Sequence, residues 1–237
     1  MNLIKQNWTN EDIKDFYNYL NTFSKGEEKS IWQQRIINTK LKCIAVPSPT
    51  VNEITKQIAK GNFLSFVEKF PWENWTVSMI VGSLICLIED FETLKKHLYT
   101  YACKVDNWAN CDGLKFKFNN KNKDKFFDLG LLFIKDEKPF VRRIGLIIFF
   151  KMLRYEEYLE KIFTILNGFN NEEHYYVNMM LAWIVCECFI KYRDKTKIFL
   201  QNHKLNKFVI NKAISKCRDS FRVSNEDKQM LLQYKIK

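Results

Sequence analysis

Glycine and proline are scarce in this chain, 7 and 4 residues among 237. So little glycine argues against a sheet protein with many tight turns. No G-x-G-x-x-G, G-x-x-x-x-G-K-[ST] or G-x-S-x-G occurs, which disfavours a dinucleotide-binding enzyme, a P-loop NTPase and an α/β-hydrolase. Long apolar runs are missing too. The longest, Ile144 to Phe150, is too short to span a bilayer, and no basic amphipathic helix with an apolar insertion face stands out, so no membrane partner is expected. The first residues, Met1-Asn2-Leu3-Ile4-Lys5-Gln6, turn polar at once and lack the apolar core of a secretory signal. Cys-x-x-Cys pairs are absent, and His97, His174 and His203 have no H-x-x-x-H spacing. No metal site is therefore expected. Most of the seven cysteines lie in apolar helical patterns, where a free thiol behaves as a small hydrophobe. That usage fits a reducing compartment, the cytoplasm.

What the sequence does contain is apolar and aromatic material, 46% and 15%, enough for a sizeable core. Helix starts recur. Thr9-Asn10-Glu11-Asp12 and Ser224-Asn225-Glu226-Asp227 read as caps followed by an acid at the third position. Ser48-Pro49 reads as a cap followed by proline at the first helical position, and Pro71 and Pro139 are expected to open further helices. In 177–192, Val177, Met180, Leu181, Ile184, Val185 and Cys188 form one stripe at helical spacing. Met179, Trp183, Cys186 and Ile190 form a second stripe almost opposite, so this helix should be sandwiched between layers. Segments 77–88 and 141–153 look alike, and 1–40 reads as two helices. Strand-like alternation is hard to find. The expected fold is all-α: about twelve to fourteen helices of roughly 10 to 20 residues. A single domain over 1–237 is expected, an α-α superhelix or solenoid of HEAT-like helix pairs. A non-repeating helical domain is the alternative, because self-similarity is too weak to prove repeats.

The net charge is +11, and it is uneven. Residues 201–237 hold nine Lys and Arg against three Asp and Glu. A second run is Lys115, Lys117, Lys121, Lys123 and Lys125, interleaved with Phe116, Phe118, Phe126 and Phe127, and a third is Arg142-Arg143. Basic patches on a helical array suit a phosphate backbone. A solvated lysine-rich surface or an acidic protein partner would show the same charge.

Three segments stand out together: Val105-Asp106-Asn107-Trp108-Ala109-Asn110-Cys111-Asp112, Pro139-Phe140-Val141-Arg142-Arg143-Ile144, and Tyr175-Tyr176-Val177-Asn178-Met179-Met180-Leu181-Ala182-Trp183. With the tail Asn211-Lys212-Ala213-Ile214-Ser215-Lys216-Cys217-Arg218-Asp219-Ser220, their order and spacing resemble the DNA alkylation repair family, the HEAT-like DNA glycosylases of the AlkD type. The resemblance is spread over the region from about residue 40 to residue 235. It implies an enzyme that excises N3- and N7-alkylated purines from double-stranded DNA without turning the nucleotide into a base pocket. It also implies a monomer and no metal or organic cofactor. By position it makes Trp108, Asp112 and Trp183 the active-site set and Arg143 the brace on the DNA backbone. Arg142, Lys115, Lys117, Lys212, Lys216 and Arg218 are then further backbone contacts.

The residue types suit that chemistry. Trp108 and Asp112 stand four apart, on one helical face. An alkylated purine leaves readily because departure neutralises it, and the sugar left behind builds positive charge. A carboxylate aimed at that charge stabilises it, aromatic faces favour cations, and a guanidinium can hold phosphate in bidentate fashion. Each residue also has a plainer reading. Trp108 and Trp183 could be core anchors, Asp112 a surface acid or cap, and Arg142 a surface charge. Trp8, Trp32, Trp72 and Trp75 read as structural.

The chain departs from the family pattern in two places. Asn107 stands where well-known members carry another aromatic. The tail from Arg218 to Lys228 is closer to a branch in which some members keep the Trp and the Asp but shorten the N-terminal DNA-contacting element. Two alternatives to the glycosylase therefore stay open. One is a non-catalytic HEAT-like protein that binds distorted or branched DNA, and the other is a protein-interaction solenoid.

Overall fold

A computed structural model describes residues 1–237. The chain is all-helical, with fourteen α-helices, two short 3₁₀ segments, one isolated bridge between Lys42 and Asn74, and no strand. No helix is long and apolar enough to cross a membrane. Two compact units divide the chain, Met1–Lys117 and Phe118–Lys237.

The first unit holds α1 (Asn10–Asn21), α2 (Glu27–Ile37), α3 (Ser48–Ile58), α4 (Phe63–Lys69), α5 (Trp75–Ile85), α6 (Phe91–Ala102) and α7 (Trp108–Asp112). Thr9 starts α1 with the expected capping box. Its hydroxyl accepts from the Asp12 amide at 3.2 Å, and the Asp12 carboxylate accepts from the Thr9 amide at 2.8 Å. Just before it, Trp8 is fully buried, edge-on to Phe16 at 5.8 Å and to Phe66 at 4.8 Å. Each such pair adds about 0.5–1.5 kcal/mol beyond area burial, and the trio ties the N-terminal segment to α1 and α4. The centre of the unit is α5, apolar on most faces, against which α3, α4, α6 and α7 pack.

Two expected helix starts differ. Pro71 precedes a turn at Trp72 and Glu73, and α5 begins only at Trp75. The Asn74 side chain caps it by accepting from the Val77 amide at 3.2 Å, while the Trp75 amide donates to the Lys42 carbonyl at 2.8 Å. Ser48 is already helical, with Pro47 at the cap position, so Pro49 sits one step later in the first turn. Several helices also fall below the expected length. α4 has 7 residues, α7 has 5 and α14 (Asn225–Met230) has 6.

The second unit holds α8 (Lys123–Phe133), α9 (Pro139–Met152), α10 (Leu159–Asn167), α11 (Tyr175–Lys191), α12 (Arg193–Asn202), α13 (Lys207–Asp219) and α14. Its two 3₁₀ turns are Glu156–Tyr158 and Leu231–Tyr234. Pro139 opens α9 and Ser224 caps α14, as their positions predict. α11 packs against α9, α12 and α13. Its first stripe is wholly buried. Of the second stripe Cys186 is buried, while Met179, Trp183 and Ile190 are half-buried. α8 and α9 meet closely where both lack a side chain. A Cβ on Gly145 would sit 3.0 Å from the Gly130 carbonyl, and one on Gly130 would sit 2.7 Å from the Phe149 ring. All seven cysteines are free, five of them buried.

Candidate active site

A five-residue helix has too few internal hydrogen bonds to hold its own shape. α7 is held instead by buried amides. The Asn107 side chain accepts from the Asn110 amide at 3.0 Å and donates to Asn110 Oδ1 at 2.6 Å and to Asp106 Oδ1 at 2.8 Å. Asn110 in turn donates to Ser78 Oγ on α5 at 2.8 Å and to the Tyr101 hydroxyl on α6 at 2.9 Å. Asp106 also accepts from the Thr39 hydroxyl and the Lys40 amide, both at 2.7 Å. Each polar group in this knot has a partner, as a buried network requires.

The result is a fixed pedestal for two side chains. Trp108 opens α7 and Asp112 ends it, so they share one face, both half-buried. The Trp108 indole N–H lies 3.4 Å from the Ile36 carbonyl at the end of α2. Asn107 fills the cap position and is itself fully buried. An aromatic side chain there could not accept the Asn110 amide, which gives a physical reason for this departure from the family pattern. Beyond α7 the chain alternates. Leu114 and Phe116 are buried, and Lys115 and Lys117 are exposed.

The phenylalanines of the second basic run turn largely into the core. Phe116, Phe126 and Phe127 are buried, and Phe118 lies half-buried with the Arg154 guanidinium 5.3 Å from its ring. In the same run the Lys123 ammonium is paired with Glu157 at 2.5 Å. Trp32 corrects the structural reading in the other direction. It is 58% exposed on α2 beside exposed Ile31 and Ile36, with the Lys29 ammonium 5.7 Å from its ring.

In the second unit, Trp183 projects from α11 half-buried. Its ring centre is 4.7 Å from that of Phe150 and 5.6 Å from the Lys216 ammonium on α13. Lys212 precedes Lys216 by one turn, both half-exposed, and Arg218 is exposed at the end of α13. A groove lined by Lys207, Phe208, Asn211, Lys212, Ser215 and Lys235 runs along this helix.

The arginine pair points inward. Arg142 engages Glu172 through two bonds of 2.9 Å, and its remaining amino group donates to the Asp136 and Glu137 carbonyls. Arg143 is only 4% exposed and donates to the Tyr176 carbonyl in the first turn of α11. In this conformation both guanidiniums brace protein rather than lie open to a phosphate. Burial pushes the neighbouring His174 imidazole below its ordinary pKa, with Arg142 and Arg143 acting the same way against Glu172. No cluster of three His, Cys, Asp or Glu side chains is placed to hold a metal ion.

A family model described as DNA alkylation repair enzyme matches residues 21–217. The chain belongs to that family. No curated protein matches the sequence. Membership gives the chain a role in DNA repair, with alkylated DNA as its partner, and HEAT-like helix pairs as its fold class. The matched span includes α2, α7, α9, α11 and most of α13. Sequence reasoning named Trp108 and Asp112 but missed the residues that hold them: Asn107, Asn110, Tyr101 and Ser78. The Asn107-x-x-Asn110 spacing, a cap signature, was the available signal.

Proposed function

We propose that the chain is a DNA N-glycosylase that hydrolyses the N-glycosidic bond of N3- or N7-alkylated purines in double-stranded DNA. It does so without turning the damaged nucleotide into a base pocket. The observation that supports this best is the pinned α7 turn, which offers an indole and a carboxylate side by side. In the reaction the C1′–N bond breaks and its electron pair leaves with the purine, which becomes neutral. The sugar becomes an oxocarbenium-like cation. Asp112 stabilises that charge and orients a water, whose oxygen bonds to C1′ as a proton is lost. The base already leaves easily, so no general acid is required. The Trp108 and Trp183 rings offer cation–π contact, worth about 0.5–2 kcal/mol each. At Trp183 a cationic ligand would compete with Lys216. Lys115, Lys117, Lys212, Lys216 and Arg218 contact phosphates in this reading. Arg143 acts by fixing the first turn of α11.

A second reading, a non-catalytic binder of distorted or branched DNA, gains support from the inward-facing Arg142 and Arg143. One assay separates the two, release of 7-methylguanine or 3-methyladenine from methylated duplex. The glycosylase reading expects release by the wild type, a loss of about 10²–10³-fold in Asp112→Asn, and unchanged DNA affinity. Salt-sensitive DNA binding with no release, or release indifferent to Asp112→Asn, overturns it.

A further inference from the structure

The groove along α13 gathers positive charge. Lys207, Lys212 and Lys235 line it, no acidic residue does, and none of the three forms an ion pair. The fold, rather than proximity in sequence, assembles this cluster. The Asn211 side chain donates to the Ile236 carbonyl at 2.9 Å and accepts from the Ile236 amide at 3.0 Å. These two bonds pin the end of the chain against α13 and bring Lys235 into the groove wall. A cleft lined by charge of one sign focuses its field and concentrates anions.

Aromatic surface adjoins the charge. Phe208 in the groove wall and Tyr175 at the start of α11 are both exposed, and their ring centres lie 5.8 Å apart. The rings are inclined at 59°, so a flat group stacked on one meets the edge of the other. A single exposed aromatic is ordinary. Two in contact, beside three ammoniums without carboxylate partners, combine the elements that hold single-stranded nucleic acid: rings for the bases and cations for the backbone. A paired base keeps its faces inside the stack, so only an unpaired one can lie on these rings. Phe208, Lys212 and Lys216 stand four apart on α13, and Lys216 faces Trp183. Tyr175 precedes Trp183 by eight residues, about 12 Å along α11. On the reading in which Trp183 faces the alkylated nucleotide, the base bound here is another one.

We propose that this groove binds an unpaired nucleotide of DNA, its base on the Tyr175 and Phe208 rings and its phosphates on Lys207, Lys212 and Lys235. The inference rests on DNA as the partner and not on bond cleavage, so its test uses unmethylated DNA and reads affinity alone. Base release decides the glycosylase reading separately. The full chain is titrated by fluorescence anisotropy with a labelled duplex carrying one bulged adenine, and with the same duplex fully paired. The wild type should bind the bulged duplex more tightly by about fivefold or more. Phe208→Ala and Tyr175→Ala should each abolish that preference and leave affinity for the paired duplex nearly unchanged. Ile198→Ala, an exposed apolar position on α12, should keep the preference. Lys207→Gln combined with Lys235→Gln should weaken both duplexes by about threefold or more. Equal affinity for the two duplexes in the wild type overturns the proposal. So does a preference unchanged in either alanine variant, affinity unchanged in the lysine variant, or polyglutamate displacing the labelled DNA as well as unlabelled bulged duplex does.

Discussion

The Asn110 side-chain amide donates to the Tyr101 hydroxyl at 2.9 Å, and that hydroxyl lies 3.3 Å from the Asn110 carbonyl to which it donates. Both residues are buried, and burial lifts the Tyr101 phenol well above its ordinary pKa, so it keeps its proton. Through this exchange α6 grips α7, and Ser78 of α5 completes the hold. The local geometry of Trp108 and Asp112 therefore depends on residues that need touch no substrate.

Asn110→Leu tests this dependence. It removes the amide donor to the Tyr101 and Ser78 oxygens and the acceptor of one Asn107 N–H, and leaves those hydroxyls only their bonds to the Asn110 and Trp75 carbonyls. The expected cost is about 2–4 kcal/mol in urea unfolding, and base release should fall with it. Tyr101→Phe removes a single hydroxyl and should cost less, about 1–2 kcal/mol. Equal costs for the two variants would contradict a network centred on Asn110.

The basic residues divide by what they touch, and salt dependence reads the division. Arg142 is bonded to Glu172 and to two backbone carbonyls, whereas Lys212 lies half-exposed on the α13 groove. Lys212→Gln should weaken DNA binding and reduce the slope of log affinity against log salt by about one. Arg142→Gln should leave that slope unchanged. It should instead destabilise the fold by about 2–4 kcal/mol, because the Glu172 carboxylate would remain buried without its charged partner, bonded only by the His174 amide.

Helix content was legible in the sequence because it rests on local rules. The capping box at Thr9, the proline at the start of α9 and the double stripe of α11 all stand where pattern places them. Pro71 misled because proline permits a helix start without requiring one, and Asn74 offers a better cap three residues on. At the candidate site, Trp108 and Asp112 could be singled out by spacing and resemblance. Their support could not, because the Asn110 bonds to Tyr101 and Ser78 join segments that only the tertiary fold brings together. The arginine pair shows the same limit. Sequence gives a guanidinium its charge, but its partners decide whether that charge is free for phosphate. Glu172 lies 30 residues from Arg142.

Asp12 links stability to acid. Lys5 donates to its carboxylate at 2.7 Å and Thr9 donates to it as well, holding its pKa down to about 2. A folded-state value below the unfolded one means the contribution is complete above roughly pH 4 and is lost as pH falls towards 2. Acid titration should therefore loosen the start of α1 in that window, visible as faster amide exchange at Asp12 and Ile13. Asp12→Asn should remove the pH-dependent part and lower stability at pH 7. The size should be modest, because the carboxylate sits near solvent.

Gly145→Ala should destabilise the second unit although alanine is the better helix former. The new Cβ would lie 2.9 Å from Ile134 Cγ2 and 3.0 Å from both the Gly130 carbonyl and the Ile134 amide nitrogen. Backbone cannot swing aside as a side-chain tip can, so α8 and α9 must separate. The propensity gain of about 1 kcal/mol is set against an overpacking cost of about 1–3 kcal/mol, and it offsets only part of the loss. Because α9 carries Arg143, which holds the first turn of α11, the shift should reach the helix that bears Trp183. Base release should then fall even in urea-free buffer, where the variant is still folded. Gly168→Ala, whose Cβ would meet only the Ile165 carbonyl at 3.2 Å, serves as the control and should change both measurements far less.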